Sequence, residues 1–167
     1  MNNYKTLISA IGKSIKDFGF KKSGDNFFYS ENGNIGVINF QKSKNSSSEI
    51  VLFTINLGVY SSSLKVFDQP GINSKPSISD CHWRQRIGFL LPENKDYWWP
   101  IDATVSLDHL IAEVTDVLIS IAIPEIKKHI ADTSLQEYWM NGISSGLTEQ
   151  QMYLYLIALL KAGIVVV

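Results

Sequence analysis

The chain has 167 residues, a net charge of −1, 45% hydrophobic residues and 19% charged ones. That length fits one domain, residues 1–167, with room for a sizeable core, and the composition excludes a disordered chain. The near-neutral charge argues against nucleic acid as the partner, and the single cysteine, Cys81, excludes an intrachain disulfide or a cysteine metal cluster.

The charge is divided unevenly. Residues 1–90 hold 11 Lys and Arg against 6 Asp and Glu, and residues 91–167 hold 4 against 10. Two readings stay open, halves that pack with complementary charge or a mildly basic sheet beside an acidic helical layer, and charge runs of this size are more often solvated faces than binding sites. The start, Met1-Asn2-Asn3-Tyr4-Lys5, has no apolar signal core, and no apolar run approaches the ~20 residues of a membrane span. A cytoplasmic protein is the expectation, in which the glycosylation pattern Asn45-Ser46-Ser47 has no consequence.

In chain order, residues 3–18 predict an amphipathic helix whose stripe is Tyr4, Leu7, Ile8, Ile11, Ile15 and Phe18, stopped by Gly19. Lys21 and Lys22 suit the negative end of that helix dipole. Asn26 to Ser30 predicts a short strand, and Asn32-Gly33 a tight hairpin turn. The stretch 34–60 then reads as two β-rich runs around the polar loop Ser43-Lys44-Asn45-Ser46-Ser47-Ser48. Side chains alternate between faces of a strand. Ile38 and Phe40, with Val51, Phe53, Ile55, Leu57 and Val59, give one apolar face. Asn39, Gln41, Thr54 and Asn56 give a polar one. That polar side is either a solvated outer face or the floor of a binding site, since amides both donate and accept.

Residues 61–82 show no clear period and contain Pro70-Gly71 and Pro76, with a short strand expected at 63–67. A surface loop and a lid over a ligand are both open readings. His82 to Leu91 predicts a further strand, with Trp83, Gln85 and Ile87 alternating against Arg84, Arg86 and Gly88. Guanidinium groups grip carboxylate or phosphate in a fork, so Arg84 and Arg86 are candidates for the polar face; the alternative is an exposed face on which both pair with Asp or Glu of the acidic half. In Tyr97-Trp98-Trp99-Pro100 the two tryptophans face opposite ways; both join the candidate set, with one expected in the core.

The remainder predicts helices. Leu107, Leu110, Ile111, Val114, Val117, Leu118 and Ile121 form a stripe after Ser106, ended or kinked by Pro124. Ser134 to Glu137 and Thr148 to Gln151 each fit a capping box. Met152 to Leu160 is nine consecutive apolar or aromatic residues, which predicts a helix buried on more than one side. Either it sits within the helical layer, or Met152, Tyr155 and Leu159 form a homodimer surface; monomer and homodimer both stay open.

No phosphate-cradling glycine loop or H-E-x-x-H occurs. His82, His109 and His129 are scattered, and Asp96, Asp102 and Asp108 form no carboxylate pair pattern. Cys81 beside His82 suggests an activated thiol only on paper, because strand neighbours point apart. No catalytic residue, metal or cofactor is expected.

The succession Gly19-Phe20-Lys21-Lys22, Asn26-Phe27-Phe28, Ile38-Asn39-Phe40-Gln41-Lys42-Ser43, Phe53-Thr54-Ile55-Asn56-Leu57-Gly58-Val59, Trp83-Arg84-Gln85-Arg86-Ile87-Gly88 and Trp98-Trp99, with Gly146-Leu147-Thr148-Glu149 near the end, resembles the mostly bacterial family "domain of unknown function 4304". The resemblance runs from about Tyr4 to Gly163 and implies a single-domain cytoplasmic protein, with no activity and no catalytic residue to carry over.

The expected fold is α+β: an antiparallel sheet of four or five strands with a meander core, an N-terminal helix and C-terminal helices on one face. The expected function is a non-enzymatic module binding a protein or peptide, as immunity and adaptor proteins do; the alternative is a small-molecule or nucleotide binder, with or without catalysis, holding an anion over the polar face.

Overall fold

A computed structural model describes residues 3–67, 75–143 and 146–165. The architecture is α+β. An antiparallel sheet of six strands carries five in meander order: β1 (Lys21–Ser23), β2 (Asn26–Glu31), β3 (Asn34–Lys42), β4 (Val51–Tyr60) and β5 (Trp83–Arg86). The sixth, β6 (Trp99–Ile101), shares an edge of β4 with β5: β5 pairs Asn56 to Val59 and β6 pairs Val51 to Phe53. The sheet thus has one more strand than the sequence predicts. β1 lies where no strand is expected, three residues past Phe18, with Lys21 and Lys22 on the edge of the sheet instead of at the helix end. Lysines on an edge strand also discourage pairing with other chains.

Helix α1 (Asn3–Ser14) continues as a 3-10 turn to Phe18 and closes on Gly19 at φ 91°, a left-handed position glycine adopts without Cβ strain. Leu7, Ile8, Ile11 and Ile15 are buried against the front of the sheet, whose apolar side is Phe27, Ile38, Phe40, Phe53, Ile55, Leu57 and Val59. Phe53 stacks between Phe40 (5.9 Å) and Trp99 (5.6 Å). Each such burial contributes on the order of 1.5–3 kcal/mol.

Helix α2 (Leu107–Val117) starts at Ser106, whose hydroxyl accepts from the His109 N–H. It does not stop ahead of Pro124. One π turn at 118–122 leads into α3 (Ile123–His129), so the helix runs on through Pro124, which has no backbone N–H to give the preceding turn. Helix α3 crosses β3 at Gly36, where a Cβ would lie 2.3 Å from Ile126 Cγ2. Only glycine lets the two approach so closely.

Helix α4 (Asp132–Met140) begins before the predicted capping box, so Ser134 lies inside it. The Asp132 carboxylate accepts from Ser61 Oγ (2.6 Å), Ser63 Oγ (2.6 Å) and Asn34 Nδ2 (2.8 Å) instead. This knot ties the chain leaving β4 to the helical layer. Residues 62–67 form a 3-10 turn, not the expected strand; Pro70-Gly71 lies outside the described residues. Helix α5 (Glu149–Lys161) does start with the Thr148–Gln151 box. Among the described residues no helix is long and apolar enough to cross a membrane.

Candidate functional site

The register of the strands places polar side chains in one row across the back of the sheet. Ser23 pairs with Asn26, Asn26 with Asn39, Asn39 with Asn56, and Asn56 with Arg86. At the usual strand spacing the row is about 19 Å long. Its side chains bond to one another: Asn39 Nδ2 donates to Asn26 Oδ1 (2.8 Å), and Asn56 Nδ2 donates to Asn39 Oδ1 (3.1 Å) and Gln41 Oε1 (2.9 Å). Arg86 Nε donates to Asn56 Oδ1 at 3.2 Å, and Arg86 Nη1 to Asp96 Oδ1 at 3.0 Å. Its guanidinium lies over the Trp98 ring at 5.4 Å, and Trp98 Nε1 donates to the other Asp96 oxygen at 2.9 Å. These two bonds, led by that from Trp98, hold the Asp96 carboxyl below its usual pKa.

The next row runs Lys21, Phe28, Val37, Gly58 and Arg84. Gly58 leaves a notch that Cys81 fills: a Cβ there would lie 2.6 Å from Cys81 Sγ and 3.2 Å from Ile78. Lys75 Nζ reaches Ser23 Oγ at 3.2 Å. The segment 75–81 therefore runs across the strands alongside the polar row and roofs Val37, Tyr60 and Gly58.

The face thus gathers Asn39, Gln41, Arg84, Arg86 and Trp98. Other members of the expected set are placed differently. Thr54 faces the back but is fully buried, and its hydroxyl has no partner among the described residues. Asn56 is nearly buried, with its amide engaged within the row. Trp99 leaves the site for the front, since pairing with Phe53 points it into the core; Trp98 is the tryptophan on the polar side. The expected oligomer surface also needs correcting. Met152 and Leu159 are buried against the body, and Tyr155 packs on Trp139 and Phe67. The outward side of α5 is Tyr153, Leu154, Ile157 and Leu160.

A groove of about 400 Å³ opens where β4 and β5 meet, lined by Asn56, Arg84, Arg86, Ile78, Phe89 and Gly146. The two arginines differ. Arg86 is neutralised by Asp96 and propped by Asn56. Arg84 donates one Nη2 bond to the Gly146 carbonyl, has a buried Nε without an acceptor, and makes no ion pair among the described residues.

Sequence reasoning missed Asn26, Asp96 and Gly146. The first was within reach, because a hairpin centred on Asn32-Gly33 sets residue 26 opposite 39. The others come from loops whose path no local pattern encodes. Cys81 and His82, the thiol and imidazole beside the groove, are engaged within the fold. Burial pushes the Cys81 thiol pKa up and its Sγ donates to the Ser77 carbonyl, while His82 Nδ1 accepts from the Ser61 N–H. Among the described residues no group of three His, Cys, Asp or Glu is placed to hold a metal.

No curated protein and no solved structure matches the chain. A family profile described as "Domain of unknown function (DUF4304)" matches residues 11–128, which takes in the sheet, Arg84, Arg86 and the tryptophan pair and stops before α4 and α5. By that match over most of its length, the chain belongs to the DUF4304 family.

Proposed function

We propose that the protein is a non-enzymatic binding module that docks a protein or peptide on the back of its sheet. The observation that carries the reading is the polar row from Asn26 to Arg86 beside an open groove: side chains that hydrogen-bond one another in a fixed order form a rigid template for a partner's polar groups. A cytoplasmic setting accords with one buried, unpaired cysteine. A second reading, a small anionic ligand, draws support from the groove volume of about 400 Å³, within the range of small-molecule sites, and from Arg84, which makes no ion pair among the described residues.

The test is affinity capture with the tagged protein beside a Gln41→Ala/Arg84→Ala variant of unchanged melting temperature. One partner retained by the parent and lost by the variant supports docking on this face. The same partner retained equally by both overturns it, and an empty capture moves the weight to the small-ligand reading.

A further inference from the structure

We propose that the groove beside Arg84 is a subsite for a carboxylate carried next to an apolar side chain, the chemistry of a peptide's C-terminal residue or of an acidic–apolar dipeptide within a chain. This deepens the docking reading and rests on it for the nature of the partner.

The argument begins from the contrast between the arginines. A guanidinium has five donors and a permanent charge. Arg86 has its charge matched by Asp96 and a ring beneath it, so it serves as a wall. Arg84 stands two residues away on the same face with its charge unmatched among the described residues, held by the single carbonyl of Gly146. Its Nε–H is buried with no acceptor among the described residues, so a carboxylate in the groove would meet the terminal Nη groups, which carry only the bond to Gly146. A half-bonded, partly desolvated cation draws an oxyanion strongly.

The lining selects the kind of oxyanion. Beside Arg84 lie the Gly146 carbonyl and the Asn56 amide, whose oxygens repel added negative charge. One unmatched positive charge suits a monoanion better than a dianionic phosphate. Ile78 and Phe89 supply the apolar part; Phe89 is 48% exposed, unusual for so large a ring. A carboxylate on Arg84 with its neighbouring side chain against Phe89 matches both halves of the groove.

The experiment follows the arginine Nε–H and Phe89 ring signals by NMR at low salt. The probes are N-acetyl-phenylalanine, its carboxamide, N-acetyl-aspartyl-phenylalaninamide and inorganic phosphate. A saturable shift of the Arg84 and Phe89 signals is expected with N-acetyl-phenylalanine, about tenfold weaker or more with the carboxamide. It should be lost in Arg84→Ala and Arg84→Gln, whose remaining spectra report the intact fold. A stronger response to the aspartyl probe assigns the internal acidic dipeptide as the source; a stronger response to the free C-terminus assigns the chain end. Equal response to acid and carboxamide, preference for phosphate, or silence of Arg84 at tens of millimolar overturns the proposal. The docking reading fails separately: partner capture unaffected by Gln41→Ala/Arg84→Ala refutes it whatever the probes do.

Discussion

The two faces of the sheet share the same strands and obey opposite rules. On the front, Phe53, Ile55, Leu57 and Val59 of β4 lie under helices and touch no solvent. On the back, Asn56 and its neighbours in the row bond sideways to each other and to Arg86. The front is stabilised by removing apolar area from water, which is insensitive to direction. The back is held by directional bonds whose net worth is about 0.5–1.5 kcal/mol each. Stability is therefore concentrated on one side, which leaves the other free to be specific.

The largest effect that would break this comparison belongs to Phe53→Ala. It removes the ring stacked between Phe40 and Trp99 and is expected to cost about 3–5 kcal/mol. Gln41→Ala, on the back of the adjacent strand, is expected to cost less than about 1 kcal/mol. Chemical denaturation of both reads the asymmetry directly, and similar midpoints would refute it.

Gly58→Ala sharpens the boundary between the open and roofed parts of the back. Its new methyl would meet Cys81 Sγ at 2.6 Å, an overpacking worth about 1–3 kcal/mol. A near-neutral result would mean that residues 75–81 lift easily from the sheet. Thr148→Ala, two residues past Gly146 at the start of α5, removes the α5 capping box and is expected to lower stability by about 1 kcal/mol, read as a shift in melting temperature.

The smallest effect is a pH dependence. His129 stacks on Trp83 at 4.4 Å, with Tyr138 edge-on and Glu125 and Lys128 nearby; Nδ1–H donates to the Glu125 carbonyl oxygen. Burial lowers its pKa below the ordinary 6.5, so the unfolded chain takes up the proton first. Stability is full above about pH 6.5 and falls as the pH drops toward the folded value. Melting temperatures between pH 7 and pH 5 should show this slope, and His129→Gln should flatten it.

Much of this frame was legible in the sequence, because period-two alternation and an Asn-Gly turn fix both face and register within a hairpin. Alternation puts Asn39 with Gln41, Thr54 with Asn56 and Arg84 with Arg86; that the three pairs share one face is set by the pairing of β3, β4 and β5 across longer connections. What was not legible depends on distant chain. Thr54 alternates correctly yet is fully buried. β5 ends at Arg86 and gives way to a 3-10 turn over Ile87–Leu90, in which Gly88 lies against the Lys95 backbone with no room for a Cβ. The Ser134 box loses to Asp132, whose carboxylate is claimed by hydroxyls 69 and 71 residues away. The outward side of α5 is hidden in a uniformly apolar run, since periodicity is silent where every position is apolar.

The central claim is that the back of the sheet is the docking surface. Hydrogen exchange on the captured complex against the free protein tests it most directly. The account predicts added protection across β3 to β5 and the turn at Gly146, with the outer side of α5 unchanged. Protection confined to α5 around Tyr153 and Ile157, with the sheet as in the free protein, would contradict it.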